Sequence, residues 1–358
     1  MLSKVDTTLF ANSCDMVTIS TGDKDFDVYS ALQPPVSLHG VFYENGKFRR
    51  LPEEVAKQVS SGVHVLHSIT AGGRVKFRTN SKTVALFTEI EPYQVPQMSI
   101  LGSSGFEIFA DGKFEKAVYL PIDTKKLEQV EHLNTSVTFA DSKFREITVY
   151  FPLYCRVRDV RIAVEKGYDV LPSTDYKDIK PIVYYGSSIT QGCCASKPSC
   201  TYQSFIERWT KCDYVNFGFA GNCKGEPIMA EYLANQDMCA FVLDYDYNAS
   251  TPEHLKATHL NVYKTIREKH KDIPIIMLSK PLFKADATSK KCLRIIKETY
   301  RYALEHGDKN VRLIDGHKIF PSGNADVMTA EGCHPTDLGF YFMAKKIYAT
   351  MKTFDLFK

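Results

Sequence analysis

The two halves of this chain carry different hydrophobic rhythms. From about Asp27 to Ile162, apolar and polar residues alternate in short runs: Val63–Ile69, Arg74–Arg78, Thr83–Ile90, Gly105–Phe109, Ala117–Leu120 and Glu146–Phe151. A period of two marks strands with one buried face. Turn signals such as Ala71-Gly72-Gly73, Thr79-Asn80-Ser81 and Asp111-Gly112 separate the runs. Such a succession predicts an antiparallel β-sandwich. From Ile179 onward the rhythm changes. Brief apolar runs at Pro181–Tyr185, Ile273–Leu278 and Val311–Ile314 alternate with helical periodicity over Thr201–Cys212, Pro252–Lys271, Ala287–Glu305 and Asp337–Met351. Strands alternating with helices predict an α/β fold, a three-layer, doubly wound parallel sheet. The linker falls near Gly167 to Lys180, with Pro172-Ser173-Thr174-Asp175 inside it, giving a sandwich domain over residues 1–172 and a second domain over 178–358.

Composition narrows the function class. With 358 residues the chain can bury a core in each domain, and a net charge of +3 is too small to imply nucleic acid or an anionic membrane as partner. The Lys125-Lys126 and Lys290-Lys291 pairs read as solvated faces. The start Met1-Leu2-Ser3-Lys4-Val5-Asp6 lacks the basic and apolar regions of a signal peptide, and no apolar run is long enough to span a bilayer. A cytoplasmic location follows as the expectation. Ten cysteines then read as reduced thiols. Cys155, Cys212, Cys239 and Cys292 fall inside predicted strands or helices, where thiols behave as small hydrophobes. Cys193, Cys194 and Cys200 match no zinc spacing, and adjacent cysteines rarely chelate one ion.

The chemistry concentrates at strand ends. Tyr184-Tyr185-Gly186-Ser187-Ser188-Ile189-Thr190-Gln191-Gly192 places a serine on a glycine turn just past a buried strand, where open α/β sheets keep their reactive groups. Asn216-Phe217-Gly218-Phe219-Ala220-Gly221-Asn222 closes a second strand. Cys239–Asn248 is a third with asparagine at its end, and Glu331-Gly332-Cys333-His334-Pro335-Thr336-Asp337 precedes the last helix. Each block alone could be a structural turn or cap. Four in order, each at its own strand end, are specific. Over about Ile179 to Phe354 the chain resembles the SGNH hydrolases, also called GDSL-type esterases, whose blocks supply Ser, Gly, Asn and His in this sequence.

The resemblance implies a flavodoxin-like catalytic sheet and acyl-transfer chemistry. Ser188 is the expected nucleophile and His334 the general base that activates it. The backbone N–H groups of Ser188 and Gly221 and the side-chain amide of Asn248 are the expected oxyanion donors. The family's acid stands three residues before the histidine as Asp, where this chain has Glu331. Asp337 is the rival, although its spacing suits a helix cap or first turn. This chain also has Ser187 where the family carries Asp, and Asp246-Tyr247-Asn248-Ala249 where it carries Gly-x-Asn-Asp. Cys333 beside His334 could mimic a Cys/His pair, but sequence neighbours seldom face each other. No metal or organic cofactor is expected.

An N-terminal sandwich ahead of Gly-Ser-Ser-Ile-Thr-Gln-Gly is similar to a group within this superfamily read as carbohydrate esterases, with a jelly-roll-like first domain. Gly105-Phe106-Glu107-Ile108-Phe109 falls where relatives show a Gly-x-Asp-Leu-Tyr-like strand. The expected function is a serine esterase removing small acyl groups, O-acetyl above all, from a small-molecule or oligosaccharide ester. A lysophospholipase or thioesterase, and a catalytically inactive carbohydrate-binding protein, stand as alternatives. Tyr93 and Phe106 are expected in the core, and Trp209 is expected against the sheet. The sequence leaves the oligomeric state open.

Overall fold

The computed structural model describes residues 16–21, 24–120, 130–282, 284–323 and 325–357. The Met1–Asp6 start and the Lys125-Lys126 pair lie outside these residues. The chain forms two compact units: one comprises Met1–Arg50, Ser68–Lys177 and Lys197–Ser199, the other Leu51–His67, Asp178–Ser196 and Cys200–Lys358.

The first unit contains β1 (Val17–Thr21), β2 (Lys24–Ser30), β3 (Ser37–His39), β4 (Phe42–Glu44), β5 (Lys47–Arg49), β6 (Arg74–Thr79), β7 (Thr83–Glu91), β8 (Phe106–Ala110), β9 (Lys113–Val118), β10 (Glu131–Thr138), β11 (Arg145–Tyr150), β12 (Arg156–Glu165) and β13 (Val170–Leu171). Two antiparallel sheets result, β1-β2-β12-β7-β10 and β13-β6-β11-β8-β9, with β3 paired to β6 and β4 to β5. Alternation decides the packing. Val84, Leu86 and Ile90 of β7 meet Val75, Phe77, Ile108 and Val149 of the other sheet in one core, while Ala85 and Phe87 join Ile19 and Phe26 on the opposite face. Phe106 lies in the core, as expected, but Tyr93 is largely exposed. Glu107 on β8 is fully buried. Its carboxylate accepts from the Ser199 N–H at 2.7 Å, the Ser199 hydroxyl at 3.0 Å and the Lys197 ammonium at 3.2 Å. A buried charge persists only with such partners.

The expected strand at Val63–Ile69 is instead a helix. Here α1 (Glu53–Val59) and α2 (Ser61–Leu66) belong to the second unit. The Ser60 hydroxyl accepts from the Val63 N–H and caps α2, Val63 is buried and Val65 exposed. So few apolar positions fit either period, and the cap decides.

The second unit holds the parallel sheet of β14 (Ile182–Gly186), β15 (Tyr214–Gly218), β16 (Ala240–Asp244), β17 (Ile275–Leu278) and β18 (Val311–Ile314), in the order β15-β14-β16-β17-β18. This is the flavodoxin-like order, and the strands beside β14 form its topological switch point. On one face Val183, Tyr185, Phe217 and Leu243 pack with Met229 and Leu233 of α6 (Pro227–Ala234), Val262 of α7 (Pro252–Lys269) and Ile296 of α8 (Ala287–Glu305). On the other, Tyr184 meets Tyr202 of α5 (Tyr202–Thr210), which meets Phe340 of α9 (Asp337–Met351). Three layers follow. Trp209 is 37% exposed; it stacks on Phe205, meets Tyr341 edge-on and lies tilted against Tyr348 along α5 and α9. Among the described residues, no helix is long and apolar enough to cross a membrane.

Candidate active site

Parallel register brings the sequence blocks to one edge. Gly186 pairs with both Gly218 and Asp244, so β14, β15 and β16 end level. Past Gly186 the chain turns at once into the one-turn helix α4 (Ser188–Gln191), with the Ser187 hydroxyl accepting from the Ile189 N–H at its start and left-handed Gly192 at its end. Glycine is required at this crossing. A Cβ on Gly186 would stand 2.0 Å from Thr190 Oγ1, and one on Gly218 would stand 2.2 Å from the Gln191 nitrogen.

Ser188 Oγ lies 2.8 Å from His334 Nε2. The loop bearing the histidine is a tight reversal: Thr329 bridges Pro335, the Ala330 N–H donates to the His334 carbonyl at 2.9 Å, and Gly332 is left-handed. That reversal curls the Glu331 side chain back over its own loop. The carboxylate accepts from the His334 backbone N–H at 3.2 Å and from the ring Nδ1–H. A carboxylate can only accept here, so Nδ1 carries the proton and Nε2 presents its lone pair to the Ser188 hydroxyl. The longer Glu side chain thus occupies the position at the ring. Asp337 does not reach it. It opens α9 behind the Thr336 cap and accepts from the Ser196 N–H at 2.8 Å and from the Ser196 hydroxyl.

Burial opposes a charge on His334, but the Cys193 and Cys333 sulfurs beside the ring outweigh it and raise its pKa above the ordinary 6.5. Cys333 Sγ lies within 4.8 Å of a ring nitrogen of His334, although the hydroxyl at Nε2 is that of Ser188.

The expected oxyanion donors are also available. Ser188 is the first residue of its helix, where a backbone N–H has no intrahelical acceptor. The Gly221 N–H donates to no group among the described residues, and a Cβ at this left-handed position would meet nothing within 4 Å. The Asn248 amide gives one N–H to the Phe219 carbonyl at 3.0 Å, which orients it and leaves a second N–H.

Behind these groups lies a buried polar network absent from the sequence reading. The Thr190 carbonyl accepts from the Gln203 and Asn216 amides, each at 2.7 Å, and the Thr190 hydroxyl donates to Asp244 at 3.1 Å. Gln191 Oε1 accepts from the Ala220 N–H at 3.0 Å, tying α4 to the loop that carries Gly221. Burial raises the Asp244 carboxyl well above its usual range, with the Asp246 charge adding to it. Burial likewise lifts Asp246 to about 6, and Asp246 accepts from the Lys280 N–H at 3.1 Å. Polar residues within apolar strands were the available signal, but nothing local to them names their partners.

The GDSL-like Lipase/Acylhydrolase family matches residues 179–352, and the N-terminus of an SGNH-hydrolase-type esterase matches residues 26–170. A protein from Bacteroides ovatus described as a GDSL-like lipase is similar over 93% of this chain and 99% of its own, at 26% identity and a TM-score of 0.80. A salicylyl-acyltransferase from a tetracycline biosynthetic pathway is similar over 91% of this chain and 96% of its own, at 20% identity and a TM-score of 0.75. An active-site mutant of a family two carbohydrate esterase from Clostridium thermocellum shares the fold over 90% of this chain and 98% of its own, at 12% identity and a TM-score of 0.61. No curated protein matches the chain.

Proposed function

The chain belongs to the GDSL-type, or SGNH, acylhydrolases, and from that premise we propose a serine esterase that removes small acyl groups, O-acetyl foremost, from a sugar or oligosaccharide. The observation that carries the reading is the line from Ser188 Oγ to His334 Nε2 at 2.8 Å, continued from Nδ1 to Glu331. In the proposed reaction Ser188 Oγ attacks the ester carbonyl as His334 takes the hydroxyl proton, and Glu331 stabilises the imidazolium. The Ser188 and Gly221 N–H groups and the Asn248 amide hold the oxyanion. Collapse transfers the proton from His334 to the departing alcohol and leaves an acyl-Ser188 ester. Water, deprotonated by His334, then releases the acid.

Likeness in fold to carbohydrate esterases, among them an acetyl xylan esterase from Butyrivibrio proteoclasticus, supports the sugar part of this reading. A panel of 4-nitrophenyl esters from acetate to laurate, run beside acetylated oligosaccharides, tests the reading. Preference for acetate and release of acetate from the oligosaccharides are expected. Preference for laurate would move the function to a lysophospholipase or thioesterase, and no turnover would leave a binding protein.

A further inference from the structure

Three thiols surround His334, and two of them are sequence neighbours. Adjacent side chains on extended or helical backbone point apart. Cys194 escapes this because its backbone is left-handed, at φ 71°. That conformation is uncommon for a residue with a Cβ and costs on the order of 1–2 kcal/mol. It turns the Cys194 sulfur to the side of Cys193, and the two Sγ atoms stand 3.9 Å apart. Tetrahedral zinc with Zn–S bonds of about 2.3 Å separates its sulfur ligands by about 3.8 Å. A ring nitrogen of His334 completes the group, with all three ligand atoms within 4.8 Å of one another. Cys193 is buried, whereas Cys194 and His334 are partly exposed, so an ion has a way in. The pair Cys212 and Cys239 has the same sulfur separation of 3.9 Å but no third ligand of this kind among the described residues.

We propose that Cys193, Cys194 and His334 form an inhibitory site for a soft divalent cation such as Zn2+. Binding replaces two S–H bonds with two metal–thiolate bonds and one metal–imidazole bond, and both thiol protons pass to the buffer. The two thiolates neutralise the ion, and water fills the fourth position. A cation at Nε2 takes the lone pair that faces Ser188, and one at Nδ1 displaces Glu331 and moves the ring proton to Nε2. Either way the imidazole no longer serves as a base. The ion is no cofactor of the reaction. The inhibition rests on the esterase reading, whereas binding of the ion does not.

The test uses the full chain, kept reduced and freed of metal by a chelator. Cd2+ titration followed by thiolate-to-metal charge-transfer absorbance should show one equivalent bound through two thiolates. Zn2+ should suppress 4-nitrophenyl acetate hydrolysis by about tenfold or more, reversed by added chelator. Cys194→Ser and Cys194→Ala should keep hydrolysis within about twofold of the parent. They should also weaken metal binding by about tenfold or more, since even groups behind a ligand are worth about 10–100-fold. An absent charge-transfer band overturns the site. So does a band, or zinc inhibition, that survives in both Cys194 variants and disappears in Cys212→Ser. A protein that never hydrolyses the ester but shows the Cys194-dependent band keeps the metal site and loses the esterase reading.

Discussion

Glu331 and His334 are joined twice, through the ring Nδ1–H and through the backbone N–H of the histidine at 3.2 Å. The acid therefore fixes both the orientation of the imidazole and the loop that carries it. Replacing Glu331 with Gln should lower kcat by about 10⁴, the size of the effect of acid replacements in serine triads. Asp337→Asn should cost only a few-fold, because its carboxylate holds Ser196. Steady-state kinetics on an aryl acetate compare the two, and the reverse order would assign the acid's role to Asp337.

The pH profile tests the same pair. With a chelator present, kcat/KM should fall on the acid side as His334 gains the proton that prevents it from accepting one from Ser188. Neighbouring sulfurs hold its pKa above 6.5 despite burial, so the acid limb should lie above that value. Glu331→Gln removes a negative partner that favours the imidazolium, so the limb should move to lower pH. A limb that stays in place would assign the titration to another group.

Ser188→Ala should reduce kcat by about 10⁴–10⁶ while leaving the melting temperature nearly unchanged. A fluorophosphonate probe should label Ser188 and neither Ser187 nor Ser196, as peptide mapping would show. Labelling at another serine ends the assignment.

Asn248→Ala should lower kcat by about 10²–10³ with a smaller change in KM, because the amide serves the developing charge. It also removes the hydrogen bond to the Phe219 carbonyl, worth about 1 kcal/mol of stability. A change confined to KM would make Asn248 a ground-state contact with the substrate.

Gly186→Ala should destabilise the second unit by about 1–3 kcal/mol or more, because its methyl would stand 2.3 Å from the Asp244 carbonyl oxygen as well as against Thr190. Thermal unfolding measures this. An unchanged midpoint would show that α4 can shift without cost.

Much of the architecture was legible in the chain itself. The limits of α8 and α9 and of β18 coincide with the expected Ala287–Glu305, Asp337–Met351 and Val311–Ile314, because long amphipathic periods and short apolar runs report burial without reference to distant residues. The strand-end positions of Ser188, Gly221 and Asn248 were legible for the same reason. Tertiary structure decided the rest. Ser188 and His334 are 146 residues apart, and no local pattern says which acid will face the imidazole. The reversal at Gly332 selects Glu331, and the cap on α9 commits Asp337 to Ser196. In α2, Val63–Leu66 is too short a stretch for periodicity to separate helix from strand, so the Ser60 cap and packing in the second unit decided it. The nearness of Cys193 to Cys194 depends on one left-handed residue, a backbone choice that side-chain order along the sequence does not encode.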